Sequence, residues 1–248
     1  MEPTNPTISV LIPCYNQARH IRRVVEATLD QSRPPDEIIV VDDVSQDESV
    51  AILRQLSVRL ICHEQNQGPA VARNTALQAA SGDIVVYIDS DAYADRRLIE
   101  ALLDAYRQPA RRPLAGVGGR GVEEHVVTLY DRWRRLHARQ DFGPARRDNV
   151  PYLFGLCMSF EREALLKVNG FDPFFPTSAG EDFELGYRLQ RAGFMLRYTP
   201  EAIVYHQHSD DSEERLKRIQ YNWYYWSYLA KHRTRSHPWT LYAGTLRR

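Results

Sequence analysis

Four uninterrupted runs of β-forming residues recur early in the chain: Ile8 to Ile12 (ISVLI), Glu37 to Val41 (EIIVV), Val58 to Cys62 (VRLIC) and Ile84 to Ile88 (IVVYI). A strand without polar alternation is buried on both faces, and such strands pair in parallel when helices connect them. The intervening segments have helical spacing. His20 to Gln31 sets Ile21, Val24, Val25, Thr28 and Leu29 on one side, and Ser49 to Leu56 and Pro69 to Ala80 follow the later strands. Pro34-Pro35 and Gly82 punctuate the pattern. The expected architecture is α/β, a doubly wound sheet covered on both faces. Ligands of such sheets lie beyond the carboxyl ends of the strands. The polar residues fall there: Cys14-Tyr15-Asn16, Asp42-Asp43, Asn66 to Gly68, and Asp89-Ser90-Asp91.

At 248 residues and 43% hydrophobic side chains, the chain can bury a large core. Lys plus Arg equals Asp plus Glu at 32 each, so no global field points to nucleic acid. Three widely separated cysteines, Cys14, Cys62 and Cys157, suit reduced thiols in a reducing compartment. The start MEPTNPT lacks a basic-then-apolar signal, and no window approaches the roughly 18 apolar residues of a membrane span. A cytoplasmic chain is expected, either free or peripheral at the inner face of the membrane.

Each polar cluster has two readings. Asp42 and Asp43 could cap a helix together with Ser45 and Asp47, or face a ligand. On an alternating backbone Asp89 and Asp91 point the same way, as two hard oxygen donors for a divalent cation shared with phosphates. Alternatively, Asp91 or Asp95 caps the helix from Arg96. Position at a strand end favours the metal. Glu181-Asp182 opens a helix to Ala192, closed by Gly193, where carboxylates favour the dipole and a base would be rigidly held. His206 and His208 end a strand-like run, and a neutral imidazole there could ligate Mn²⁺. Gly116 to Gly121 fits G-x-G-x-x-G before a helix-like VEEHVVTLYDRWRRL, so an NAD(P)-binding enzyme is an alternative. Arg132, Trp133, Arg134 and Arg135 read as a solvated, partly packed helix face that could meet an anionic acceptor. FGLCMSF (154–160) reads as a strand, followed by a helix from Glu161 to Val168. Of Phe171, Phe174 and Phe175, at least two are expected in the core.

Five blocks carry a more specific signal: ISVLIPCYNQARHI, EIIVVDDVSQDES, NQGPAVARNTALQAASGDIVVYIDSDA, FGLCMSFEREALLKVNGFDPFF and GEDFELGYRLQRAGF. In this order they resemble a family-2 nucleotide-sugar glycosyltransferase. The resemblance implies the GT-A fold, a single Rossmann-like doubly wound and mostly parallel sheet. It implies inverting transfer of a sugar from a nucleoside diphosphate, a UDP-sugar foremost, to a hydroxyl of a saccharide or lipid-linked glycan in polysaccharide biosynthesis. It also implies a divalent metal, Mn²⁺ or Mg²⁺. Residue by residue, Pro13 and Tyr15 match the loop at the base, and Asp43 the carboxylate that accepts from it. Gly68 and Arg73 match the loop and helix beside the base and diphosphate, Asp89 the ribose contact, and Asp91 a metal ligand, with His206 as a second. Asp182 matches the general base, with Glu181 beside it on the substrate side. Val44 stands where the family has glycine, and Gln46-Asp47-Glu48 where it has Thr-Asp-Gly, so the loop after the second strand is expected to differ in shape.

The implied organisation is a GT-A unit over 1–210, with a donor half to about 107 and an acceptor half from about 108, divided near QPARRP (108–113). An aromatic-rich extension follows over 211–248, and 213–235 is expected to meet a membrane surface or a second subunit. A noncatalytic nucleotide-sugar-binding module could dispense with Asp182. A nucleotidylyltransferase would need a glycine- and arginine-rich loop after the first strand, where IPCYNQARH has none.

Overall fold

The computed structural model describes residues 5–124, 126–175 and 180–207, together with Lys217, Tyr221 and Tyr225. Its strands are β1 (Ile8–Cys14), β2 (Glu37–Asp42), β3 (Arg59–Cys62), β4 (Ile84–Ile88), β5 (Ala92–Ala94), β6 (Leu114–Glu123), β7 (Arg147–Asp148), β8 (Cys157–Glu161) and β9 (Met195–His206). They form one sheet in the order β3-β2-β1-β4-β8-β6-β9-β5, with β7 also paired to β9. The helices are α1 (Ile21–Leu29), α2 (Ser49–Leu53), α3 (Pro69–Ala79), α4 (Leu98–Arg107), α5 (Leu129–His137), α6 (Arg162–Lys167) and α7 (Glu181–Arg191).

The uninterrupted apolar strands have two cores to fill. On one face Val10, Ile12, Val40 and Val86 share a buried cluster with Val24 and Val25 of α1 and Leu98 and Leu102 of α4. On the other, Leu11, Ile39, Val85 and Tyr87 pack with Ala72 and Ala76 of α3, Leu165 of α6 and Leu185 of α7. Helices therefore cover both faces, as the apolar runs require.

Direction explains where the site forms. β1 to β4 pair in parallel, β8 runs antiparallel to β4 and to β6, and β9 is parallel to β6. The reversal at β8 leaves β6 and β9 pointing the same way as β1 to β4. Their carboxyl ends therefore meet at one edge, where Ala92, just beyond β4, pairs with His206 at the end of β9.

The glycine run 116–121 is not a phosphate loop. It is the middle of β6, and no glycine in it has positive φ. These glycines serve close packing. A Cβ on Gly116 would lie 2.6 Å from the Phe160 ring and 2.6 Å from the Ser159 carbonyl oxygen, while Gly119 abuts Ala202 and Cys157. The dinucleotide alternative loses its motif, and the helix expected from Val122 begins only at Leu129. Residues 108–113 form the connection from α4 to β6, held by fully buried Arg197, which donates to the carbonyls of Ala105, Gln108 and Pro109. Phe171 and Phe175 are buried and Phe174 is half exposed. Among the described residues no helix is long and apolar enough to cross a membrane. His208, and all of 213–235 except Lys217, Tyr221 and Tyr225, lie outside the described residues.

Candidate active site

Two loops at the carboxyl edge are stitched together by side chains that replace missing helix-start and turn partners. Asp42 Oδ2 accepts from the Ser45 amide at 2.9 Å, Ser45 Oγ from the Asn16 amide at 2.8 Å, and Asp47 Oδ2 from the Ala18 amide at 2.9 Å. Asp42, Ser45 and Asp47 thus brace turns and the facing loop; none caps α2, whose N-cap residue is Glu48 with no side-chain cap bond. Val44 sits in this loop at φ 69°, in the left-handed region that a β-branched side chain disfavours. The backbone has the shape that a glycine would take there without strain.

Asp43 faces the other way. Its carboxylate accepts from the amides of Gln67 (2.9 Å) and Gly68 (2.8 Å) and from His63 Nδ1 (2.7 Å), whose Nε2 meets Thr75 Oγ1 at 2.9 Å. This fixes the turn in which Gly68, at φ 84°, delivers Pro69 to the first position of α3. Pro13 is half-buried beside this loop and Tyr15 is 49% exposed at its rim.

Behind that rim lies a charged triad. Arg73, on α3, is 1% exposed and donates through Nη1 to Glu181 Oε1 at 2.7 Å and through Nη2 to Asp89 Oδ1 at 2.9 Å. The guanidinium is thus committed to protein carboxylates where the resemblance sets it beside the diphosphate. Glu181 is itself buried, and its Oε2 meets no hydrogen-bond partner among the described residues. Burial holds Glu181 above the usual carboxylate range, although Arg73 pulls it down. Asp182, next on the first turn of α7 and half-buried, is raised by burial and by the Glu181 carboxylate.

Asp89 and Asp91 do not share a strand face. β4 ends at Ile88, and the Ala92 amide donates to the Asp89 carbonyl at 3.0 Å in a tight turn. The turn parts the two side chains: Asp89 goes to Arg73, and Asp91 Oδ1 lies 3.3 Å from His206 Nε2. Burial alone would lower the His206 pKa; the Asp91 hydrogen bond, with Glu123 and Asp89 nearby, outweighs it and raises the value. Gln140 Oε1 accepts from His206 Nδ1 at 3.1 Å, which turns Nε2 toward Asp91. Among the described residues no group of three or more His, Cys, Asp or Glu is arranged to hold a metal. An oxygen and an imidazole donor facing each other nevertheless fit a hard or borderline divalent ion whose other positions are filled by phosphate and water.

A second network braces this pair. Arg23 binds Glu124 through both Nη atoms at 3.0 and 2.9 Å, Gln207 Nε2 donates to Glu124 at 2.9 Å, and the Tyr93 hydroxyl also donates to it. Burial would raise Glu124, but these hydrogen bonds hold its pKa down at about 2. The clamp joins α1, β5 and the ends of β6 and β9 beside His206.

The family model for glycosyl transferase family 2 matches residues 9–168. The chain belongs to that family. A second model, the N-terminal domain of galactosyltransferase, matches residues 135–210. The pre-mycofactocin glycosyltransferase of Mycobacterium tuberculosis is 32% identical over 87% of this chain, which spans only 46% of that relative. Among solved structures, the mannosyltransferase PcManGT from Pyrobaculum calidifontis, in complex with GDP-Man and Mn²⁺, superposes with a TM-score of 0.71. It is 22% identical, over 94% of this chain and 66% of its own. S. aureus TarS 1-349 with UDP-GlcNAc gives 0.64 at 19% identity, over 84% of this chain and 60% of its own. These neighbours establish the GT-A fold.

The fold brings Asp89, Arg73, Glu181 and Asp182 together at one place, Asp91 and His206 at a second, and Asp43 and Gly68 at a third. His63, Gln140 and Glu124 escaped the sequence reading, since none belongs to a motif and each acts through partners 12 or more residues away.

Two outcomes test this geometry. Arg73→Met leaves two carboxylates without their buried cation and is expected to lower unfolding free energy by about 3–5 kcal/mol in urea titration. A loss under about 1 kcal/mol would show that the triad is solvated. Val44→Gly removes the left-handed strain and is expected to raise stability by about 1 kcal/mol, a gain that glycine's greater unfolded-chain freedom limits. An unchanged or lower midpoint would mean that Val44 is not strained.

Proposed function

We propose that this chain transfers a sugar, with inversion, from a UDP- or GDP-sugar to a hydroxyl of a glycan or lipid-linked glycan, and that it requires Mn²⁺ or Mg²⁺. The observation that carries this reading is the facing of Asp91 and His206, 3.3 Å apart, at the sheet edge that also bears the start of α7. The GDP-Man and UDP-GlcNAc held by two structural neighbours support a nucleoside diphosphate sugar as the donor class.

Pro13, Tyr15 and the Asp43-braced turn at Gly68 would border the base, and Asp89, oriented by Arg73, the ribose. Asp91 and His206 would hold the cation. When bound, that ion supplies charge neutralisation for the departing diphosphate. Asp182 would take the proton of the acceptor hydroxyl as that oxygen attacks the anomeric carbon on the face opposite the leaving group. Direct displacement needs one base and no covalent intermediate. Its raised pKa suits this, because a base poised nearer the working pH accepts a proton more readily than an ordinary aspartate. Arg73 and Glu181 serve as positioning residues.

A thermal-shift panel of UDP-, GDP- and dTDP-sugars, with and without Mn²⁺, tests the donor and metal. At a hundredfold the dissociation constant a ligand stabilises by roughly 2.7 kcal/mol, or about 5–10 °C for a chain of this size. Asp91→Ala is expected to abolish the Mn²⁺-dependent part of the shift. If no sugar nucleotide shifts the midpoint or is hydrolysed with Mn²⁺, the proposal fails.

Asp182→Asn separates binding from turnover: kcat should fall at least a hundredfold with donor affinity kept. The sign of its stability effect follows from the raised pKa. The stability that Asp182 contributes is present below its unfolded value, about pH 4, and is lost as pH rises through the folded value. The asparagine variant should therefore be the more stable at neutral pH, by a margin that grows from about pH 4 upward. Wild-type kcat should rise with pH through a limb above the ordinary aspartate range. Equal stability of the two proteins across pH would contradict a raised Asp182.

A further inference from the structure

Helix α5 is built inside out. Its buried residues are Asp131 and Arg134, whereas Leu129 is 74% and Leu136 71% exposed. Leu129, Trp133 and Leu136, at i, i+4 and i+7, share one stripe. Val127, 77% exposed, extends it into the preceding turn. A surface helix ordinarily turns such a stripe inward. Here the cap opposes that rotation: Thr128 Oγ1 accepts from the Asp131 amide at 3.0 Å, while Asp131 accepts from the amides of Thr128 (2.8 Å) and Val127 (3.0 Å).

The charges beside the stripe have one sign. Arg132 and Arg135 are exposed, and the helix's one acid, Asp131, is buried in the cap. We propose that α5 docks this chain on an anionic phospholipid surface, with Leu129, Trp133 and Leu136 at the boundary of headgroups and acyl chains and Arg132 and Arg135 on lipid phosphates. A second copy fits less well, since a two-fold contact across the stripe would bring like arginines together.

Location gives the docking a purpose. α5 leaves β6 just after Glu124, which holds Gln207, and the chain returns through Gln140, which meets His206 at 3.1 Å. A bilayer on α5 would lie along the edge that carries Asp91 and His206. This purpose rests on the transfer reaction proposed above, and it narrows the acceptor to one resident in the membrane.

The test is flotation of the full chain with vesicles of phosphatidylcholine alone or mixed equally with phosphatidylglycerol. The wild type should float with the mixed vesicles and lose binding at high salt. Arg132→Gln with Arg135→Gln should weaken binding roughly 25-fold, about fivefold per arginine. Leu129→Ser with Leu136→Ser should weaken it roughly tenfold or more. All four side chains are exposed, so circular dichroism and donor hydrolysis in solution should match the wild type. Wild type that ignores anionic vesicles, or either double variant floating like wild type, overturns the proposal. So does a vesicle-free dimer that the leucine variant dissolves, which assigns the stripe to a second copy. Flotation that persists in a protein without donor hydrolysis supports the docking and sinks only the transfer reading.

Discussion

The buried guanidinium of Arg73 is the interaction on which the rest of this site depends. A cation at 1% exposure has lost its hydration and must be neutralised by protein groups. Its two partners come from distant parts of the chain, Asp89 from the turn after β4 and Glu181 from the first turn of α7. α3, the β4 turn and α7 are therefore held in one relation, and the turn after β4 cannot shift without breaking an ion pair to a buried guanidinium. One cation faces three carboxylates once Asp182 is counted. Burial lifts Asp182 and Glu181 first, and a neighbouring carboxylate adds to it, Glu181 for Asp182 and Asp89 for Glu181. The same arrangement thus fixes where the proposed base stands and how readily it takes a proton.

A topological constraint of comparable weight acts on the other side. Had β8 paired parallel to β4, β6 and β9 would run opposite to β1 to β4, and His206 would end at the far edge of the sheet. The reversal at β8 delivers it opposite Ala92, next to Asp91. The Glu124 clamp then holds the residue that follows His206 against α1 and β5. Two donors set by strand register, one turned by Gln140 and the other on a tight turn, need no long loop to place them.

The sequence makes some of this visible and hides the rest for physical reasons. β1, β2 and β4 are legible because both faces are buried, so the apolar run has no competing explanation; β3, at the sheet edge, departs from this, with Arg59 and Cys62 exposed. α7 is legible through its carboxylates and Gly193, which takes φ 91° at the helix end. β6 is misleading because glycine serves two purposes that spell the same way, positive φ in a loop and close approach of strands; only the partners across the sheet tell them apart. Asp89 and Asp91 lie two apart, which on a strand means one face, yet the strand has ended and the turn sends them to different partners. Asp43 and Asp42 are adjacent letters with unrelated duties, one bracing the Gly68 turn and the other the Ser45 loop. His63, Gln140 and Glu124 have no motif because their significance lies in residues far away in sequence.

The loop around Val44 shows how such a site tolerates a local fault. Its φ of 69° is unfavourable for valine by an amount comparable to one or two net hydrogen bonds. Around it, the Ser45 amide reaches Asp42, the Gln46 amide reaches Asn16 Oδ1 at 2.7 Å, and Ser49 Oγ accepts from the Gln17 amide at 2.8 Å. These contacts close the first and second loops onto each other and over-determine the backbone, so the strained residue has no nearby conformation that keeps them all. The left-handed shape at Val44 is thus maintained by cross-loop hydrogen bonding instead of by local freedom. A loop held in this way is fixed by partners on both sides, Asn16 and Gln17 on the first loop and Ser45, Gln46 and Ser49 on the second.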